Sequence, residues 1–194
     1  MTGSLKAARM LLAGIVCAAS PGHAAAGPVE AEVFQIFKGF CIYGLNNPDD
    51  FPNRARTIGA IELEADKAKP FLEPQTGRAW GGQTPGNTAY VVVLTAYGVC
   101  AVFSTDARAE IVQHLLDSDP VFRRSERLSW SLQGEHGYTA VMARRDGGPD
   151  FRAAVMLSLP PPGLTGMRLG AIPERTMKEL KLETPNWPNA WRPN

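Results

Sequence analysis

Apolar and polar positions along the chain divide it into helical and strand-like stretches. Val33, Ile36, Phe37 and Phe40 recur at spacings of three and four, the period of a helix with one buried face. Pro28 suits the first turn of that helix, Glu30 and Glu32 suit its positive end, and Gly44 with Asn46-Asn47-Pro48 stops it. Cys41 then falls in its last turn. Phe51, Ala55, Ile58 and Ile61 predict a weaker second helix over 49–61, with Pro52 tolerable only in its first turn. A short helical turn is expected over 65–72, and 75–87 reads as turn and loop around Trp80 because of its glycines and Pro85.

Ala89–Ala96 is a continuous run of β-branched and aromatic residues. Val99–Ser104 follows across Tyr97-Gly98, so the pair reads as a hairpin carrying Cys100 near its turn. Thr105 or Asp106 is the expected cap of a third helix, whose stripe is Ile111, Val112, Leu115 and Leu116 and whose end is Asp117-Ser118-Asp119-Pro120. Three more strands are expected at 128–132, 138–145 and 151–159, joined by glycine-rich turns. Pro160-Pro161-Pro162-Gly163 ends the regular pattern. The remainder reads as a tail, with one short helix over 174–182 and with Trp187 and Trp191 set among prolines and asparagines. The order α-α-β-β-α-β-β-β predicts an α+β domain over 27–159: a mostly antiparallel sheet of about five to six strands with helices on one face.

Residues 1–26 follow a different pattern. Lys6 and Arg9 precede a short apolar run over 10–19, then come Pro21-Gly22 and the small residues Ala24-Ala25-Ala26. This is the order of parts in a secretory signal peptide, and the run is short for a bilayer span. Cleavage after Ala26 is the expectation, giving a periplasmic or secreted chain. Lipidation at Cys17 is disfavoured by the branched Val16 before it. Losing Lys6 and Arg9 turns the formal charge of the 194-residue chain from +1 to −1. A near-neutral balance makes no electrostatic case for nucleic acid or an anionic membrane. No later run is long enough to span a bilayer.

Cys41 and Cys100 then remain. In an oxidising compartment the simplest reading is a disulfide closing a loop of roughly 60 residues, worth about 3–4 kcal/mol. The alternative is two buried free thiols acting as small hydrophobes. There is no Cys-x-x-Cys spacing and no clustered histidine, so neither a redox pair nor a metal site is expected, and no cofactor motif occurs.

Catalytic signals are sparse. Glu135 and His136, adjacent in a glycine-flanked turn, are the weak candidates for general acid–base work, and His114 reads as an ordinary helix residue. No nucleophile elbow, zinc-protease or phosphate-loop pattern is present. Arg144, Arg145 and Arg152, with Arg123 and Arg124 nearby, could share a sheet face and hold an anion or an acidic partner. Trp187 and Trp191 could anchor a partner.

Phe37-Lys38-Gly39-Phe40-Cys41, Gly77-Arg78-Ala79-Trp80 and Gly98-Val99-Cys100-Ala101-Val102-Phe103 together resemble a group of small exported or lipid-anchored envelope proteins of Gram-negative bacteria. The likeness runs from about Val33 to Leu159. It implies an envelope location and a Cys41–Cys100 bridge, and it brings no activity and no catalytic residues. The sequence therefore points to an exported, non-enzymatic binding or structural protein whose partner is a protein or a small ligand. An envelope hydrolase using Glu135 and His136, or a secreted effector, are the alternatives.

Overall fold

The computed structural model describes residues 28–125, 136–142, 150–158 and 166–182. Its centre is one antiparallel sheet of eight strands: β1 Ile61–Glu62, β2 Gly77–Gln83, β3 Ala89–Thr95, β4 Cys100–Ser104, β5 Phe122–Arg124, β6 His136–Met142, β7 Phe151–Ser158 and β8 Met167–Pro173. The spatial order is β1-β2-β3-β4-β8-β7-β6-β5. Two meanders, β1 to β4 and β5 to β7, are thus joined by the last strand, which pairs antiparallel with β4 on one side and β7 on the other.

The α+β class agrees with the sequence, but the sheet has more strands than expected. The expected tail contains β8, the central strand of the sheet. The glycine-rich segment read as loop contains β2. The strand expected over 128–132 lies outside the described residues.

Among the described residues five α-helices flank the sheet: α1 Pro28–Phe37, α2 Phe51–Thr57, α3 Ala65–Leu72, α4 Ala109–Ser118 and α5 Glu174–Glu179. They cover both faces rather than one. α1, α2 and α4 pack on the face formed by Trp80, Val92, Val102, Val155 and Leu169, where the main core sits. The opposite face is also apolar. Ala79, Val93 and Phe103 are covered there by Leu63 and by Phe71 and Leu72 of α3, while Ala154 and Met156 are covered by Met177 of α5. A strand buried on both sides reads as a continuous apolar run, as β3 and β4 do, and its second face needs its own cover.

α1 extends into a π-helical turn, Lys38–Ile42, which carries Cys41. Lys38 reaches Asp119 at 2.6 Å and ties this turn to the end of α4. α2 ends at Thr57 because Gly59 adopts φ +74. Phe51 and Ala55 are buried as expected, but Ile58 and Ile61 lie beyond the helix and are exposed. The first turn of α4 is not capped by Thr105 or Asp106. Arg108 is its N-cap and makes no side-chain cap bond there. The Arg108 backbone N–H and Nε instead donate to Glu30, a buried carboxylate in the first turn of α1. One acidic side chain therefore serves the positive ends of two helices.

Candidate functional site

Cys41 and Cys100 form a disulfide with Cα atoms 5.2 Å apart, and both residues are fully buried. The bridge fixes the π-helical turn to the first residue of β4, and so fixes the main helical layer to the sheet. The disulfide alternative of the sequence reading is the one realised, and the free-thiol alternative is not.

The first edge of the sheet forms an open cleft of about 570 Å³ beneath α3. Ala68 and Leu72 of α3 give it an apolar wall, and Lys69, Glu73, Glu62 and Arg78 give it a charged rim. Arg78 donates twice to the Glu62 carboxylate, at 2.7 and 2.6 Å, and its guanidinium lies 5.1 Å from the centre of the Trp80 ring. These hydrogen bonds, more than the opposing effect of burial, hold the Glu62 carboxyl below its ordinary pKa and raise that of Arg78. The rim is thus a fixed ion pair, with its two charges matched against each other.

Unpaired backbone completes the cleft. β1 covers only part of β2: Ile61 faces Gly81, Glu62 faces Trp80, and the Leu63 N–H donates to the Ala79 carbonyl. Peptide groups in an antiparallel strand alternate in direction, so the N–H and C=O of Gly77 point to the same open side as those of Ala79. Gly77 has to be glycine, because a Cβ there would lie 2.3 Å from the Leu94 carbonyl oxygen. An extended chain or a polar ligand entering the cleft meets free strand backbone beside an apolar wall.

The other sequence candidates are dispersed. His136 opens β6 and is half-buried. Its Nδ1 lies 3.5 Å from Nη2 of Arg124, while the neighbouring Tyr138 hydroxyl donates to Asp117 at 3.0 Å. Burial, then the Asp117 carboxylate, pushes the Tyr138 phenol well above its usual range. Glu135, Arg144, Arg145, Trp187 and Trp191 lie outside the described residues. Arg152 projects from the face of β7 that carries α5, with Nη1 3.9 Å from Glu174; Lys178 approaches the same carboxylate at 2.8 Å. Arg152 is therefore drawn into an ion network with α5. Arg123, opposite Thr139 on β5, shares that sheet face, whereas Arg124 lies on the other.

Two features escaped sequence reasoning. The Glu62–Arg78 pair depends on the register of a two-residue strand, and Arg168 depends on β8. The only signal for the latter is the alternation Met167, Leu169, Ala171, with Arg168 at an outward position.

Among the described residues no group of three His, Cys, Asp or Glu side chains could hold a metal ion, and no helix is long and apolar enough to cross a membrane. Compared with protein families, with curated proteins and with solved structures, the chain matches none.

Proposed function

We propose that this chain is an exported, non-enzymatic binding protein of the bacterial envelope, acting in the periplasm or after secretion. The cleft at the β1–β2 edge carries this reading. Its volume is that of a small-ligand site, and it combines an apolar wall, a fixed ion pair and unpaired strand backbone. Export is supported by the signal-like order of residues 1–26 and by the Cys41–Cys100 bridge, a bond that persists in oxidising compartments. The bridge holds the scaffold, and the cleft holds the ligand or a segment of a partner protein.

Native mass spectrometry of protein taken from the periplasmic fraction tests both parts. The expected species begins near Gly27, carries an oxidised cysteine pair and bears additional mass. Ala65→Trp, at an exposed position on the cleft wall, is expected to lose that mass and keep its fold. An uncleaved, reduced species would overturn the localisation. An adduct unchanged in Ala65→Trp would overturn the assignment of the cleft.

A further inference from the structure

The sheet face that carries α3 and α5 holds a cation that has no counterion among the described residues. Arg168 lies on central strand β8, between Phe103 of β4 and Ser158 of β7, which are its direct cross-strand neighbours. Its guanidinium sits 5.5 Å from the centre of the Phe103 ring. Phe103 is itself packed edge-on against Phe71 of α3, with centroids 5.3 Å apart. Among the described residues Arg168 makes no hydrogen bond and no ion pair, and the Ser158 hydroxyl makes no hydrogen bond.

Several other charged side chains of the fold are matched. Glu30 has Arg108, Lys38 has Asp119, Glu62 has Arg78, and Arg152 has Glu174. An arginine left unmatched on a central strand carries a desolvation cost with no Coulombic return. Burial lowers its pKa, the direction expected of a cation moved out of water. The Phe103 ring compensates in part by holding one face of the guanidinium. The fork of N–H donors at its edge remains, on a side chain that is half-buried rather than sealed.

We infer that Arg168 and Ser158 form a binding site for the carboxylate of a small organic acid whose apolar part rests against Phe71, the half-buried ring packed on Phe103. Charge decides the class. One guanidinium with no second cation beside it among the described residues neutralises one negative charge, which suits a monocarboxylate better than a phosphate dianion. The planar fork matches two carboxylate oxygens, and the Ser158 hydroxyl can donate to one of them. The half-buried Phe71 ring favours an acid with an apolar body over a bare anion. This site is separate from the cleft: Arg168 does not line it, so Ala65→Trp removes one site and leaves the other.

The test is titration of the full mature chain with benzoate, hexanoate, acetate and inorganic phosphate at matched ionic strength, read by calorimetry and by the shift in melting temperature. Benzoate or hexanoate is expected to bind saturably and at least tenfold more tightly than acetate or phosphate. Arg168→Gln is expected to weaken that binding at least tenfold, and Ser158→Ala severalfold. Without ligand, Arg168→Met is expected to melt no lower than wild type, since it removes an unmatched charge and keeps the stem over Phe103. The inference is overturned if phosphate binds as tightly as benzoate, if no acid binds, or if Arg168→Gln binds like wild type. Should Arg168→Gln fail to fold, Ser158→Ala and the order of the four anions decide the matter.

Discussion

Removing the Cys41–Cys100 bridge is the perturbation whose magnitude follows most directly from the structure. The two cysteines are 59 residues apart in sequence. Cross-linking a loop of that length lowers the entropy of the unfolded chain enough to contribute about 4 kcal/mol. For a domain of this size each kcal/mol moves the melting temperature by about 2–4 °C, so the bridge is worth about 8–16 °C. The clean comparison uses reductant, because it changes no side-chain volume. Wild type melted with and without a saturating reductant should show the full difference once thiol titration confirms that both cysteines are free. The double variant Cys41→Ala, Cys100→Ala should melt low in both conditions, with an added packing loss from two fully buried sulfur atoms. If fully reduced wild type melts within about 2 °C of the oxidised form, the loop-entropy argument fails. The fold would then owe its helix–sheet docking to packing alone.

Three further perturbations have definite outcomes. A chain ending at Leu159 lacks β8 and should show no cooperative unfolding by circular dichroism, whereas a chain ending at Leu182 should keep it; equal behaviour of the two would contradict the central place of β8. Gly166→Ala should cost at least about 2 kcal/mol in urea denaturation, because φ is +92 and the added Cβ would lie 1.9 Å from the Ser104 carbonyl oxygen. Burial raises the pKa of Glu30, but hydrogen bonds and charge from Arg108, with backbone N–H bonds, outweigh it and leave it below the usual carboxylate value. A depressed folded-state pKa contributes stability above the unfolded-state pKa that is lost as the pH falls through the folded one. Wild type should therefore lose stability on the acid side of that unfolded value, Glu30→Gln should lose less over the same window, and parallel pH curves for the two would refute the role given to Glu30.

The sequence foretold the parts in which local pattern and tertiary packing agree. α1 was legible because Val33, Phe37 and Phe40 all face the core they were expected to face. The β3–β4 hairpin was legible from its unbroken apolar runs and from Gly98, whose φ of +76 makes the turn. β2 was hidden because its glycines read as loop. In the sheet they meet close approach, Gly77 to the β3 backbone and Gly82 to the Tyr90 hydroxyl, where a Cβ would lie 2.6 Å from that oxygen. β8 was hidden by the proline run before it and by Gly170 within it, although Met167, Leu169 and Ala171 alternate inward. The cap of α4 could not be read locally, since its acceptor, Glu30, comes from α1, 78 residues earlier in the chain. Of the candidate sites, the cysteine pair was legible by counting. The cleft and the Arg168 surface were not, because each is made by strands that meet only through long-range pairing.

The place of β8 also bears on when this protein can fold. A chain emerges from the ribosome, or crosses a translocation channel, N-terminus first. β4 and β7 each wait for a neighbour that arrives only with residues 167–173. Until then the chain holds two half-sheets with open inner edges, and Ala154 and Met156 of β7 lack the cover of α5, a condition that invites pairing with other chains. Completion of the sheet is thus tied to delivery of residues 167–173, and the closing step is the insertion of one strand between two waiting ones. If the chain is exported as proposed, that order of events works as a built-in delay.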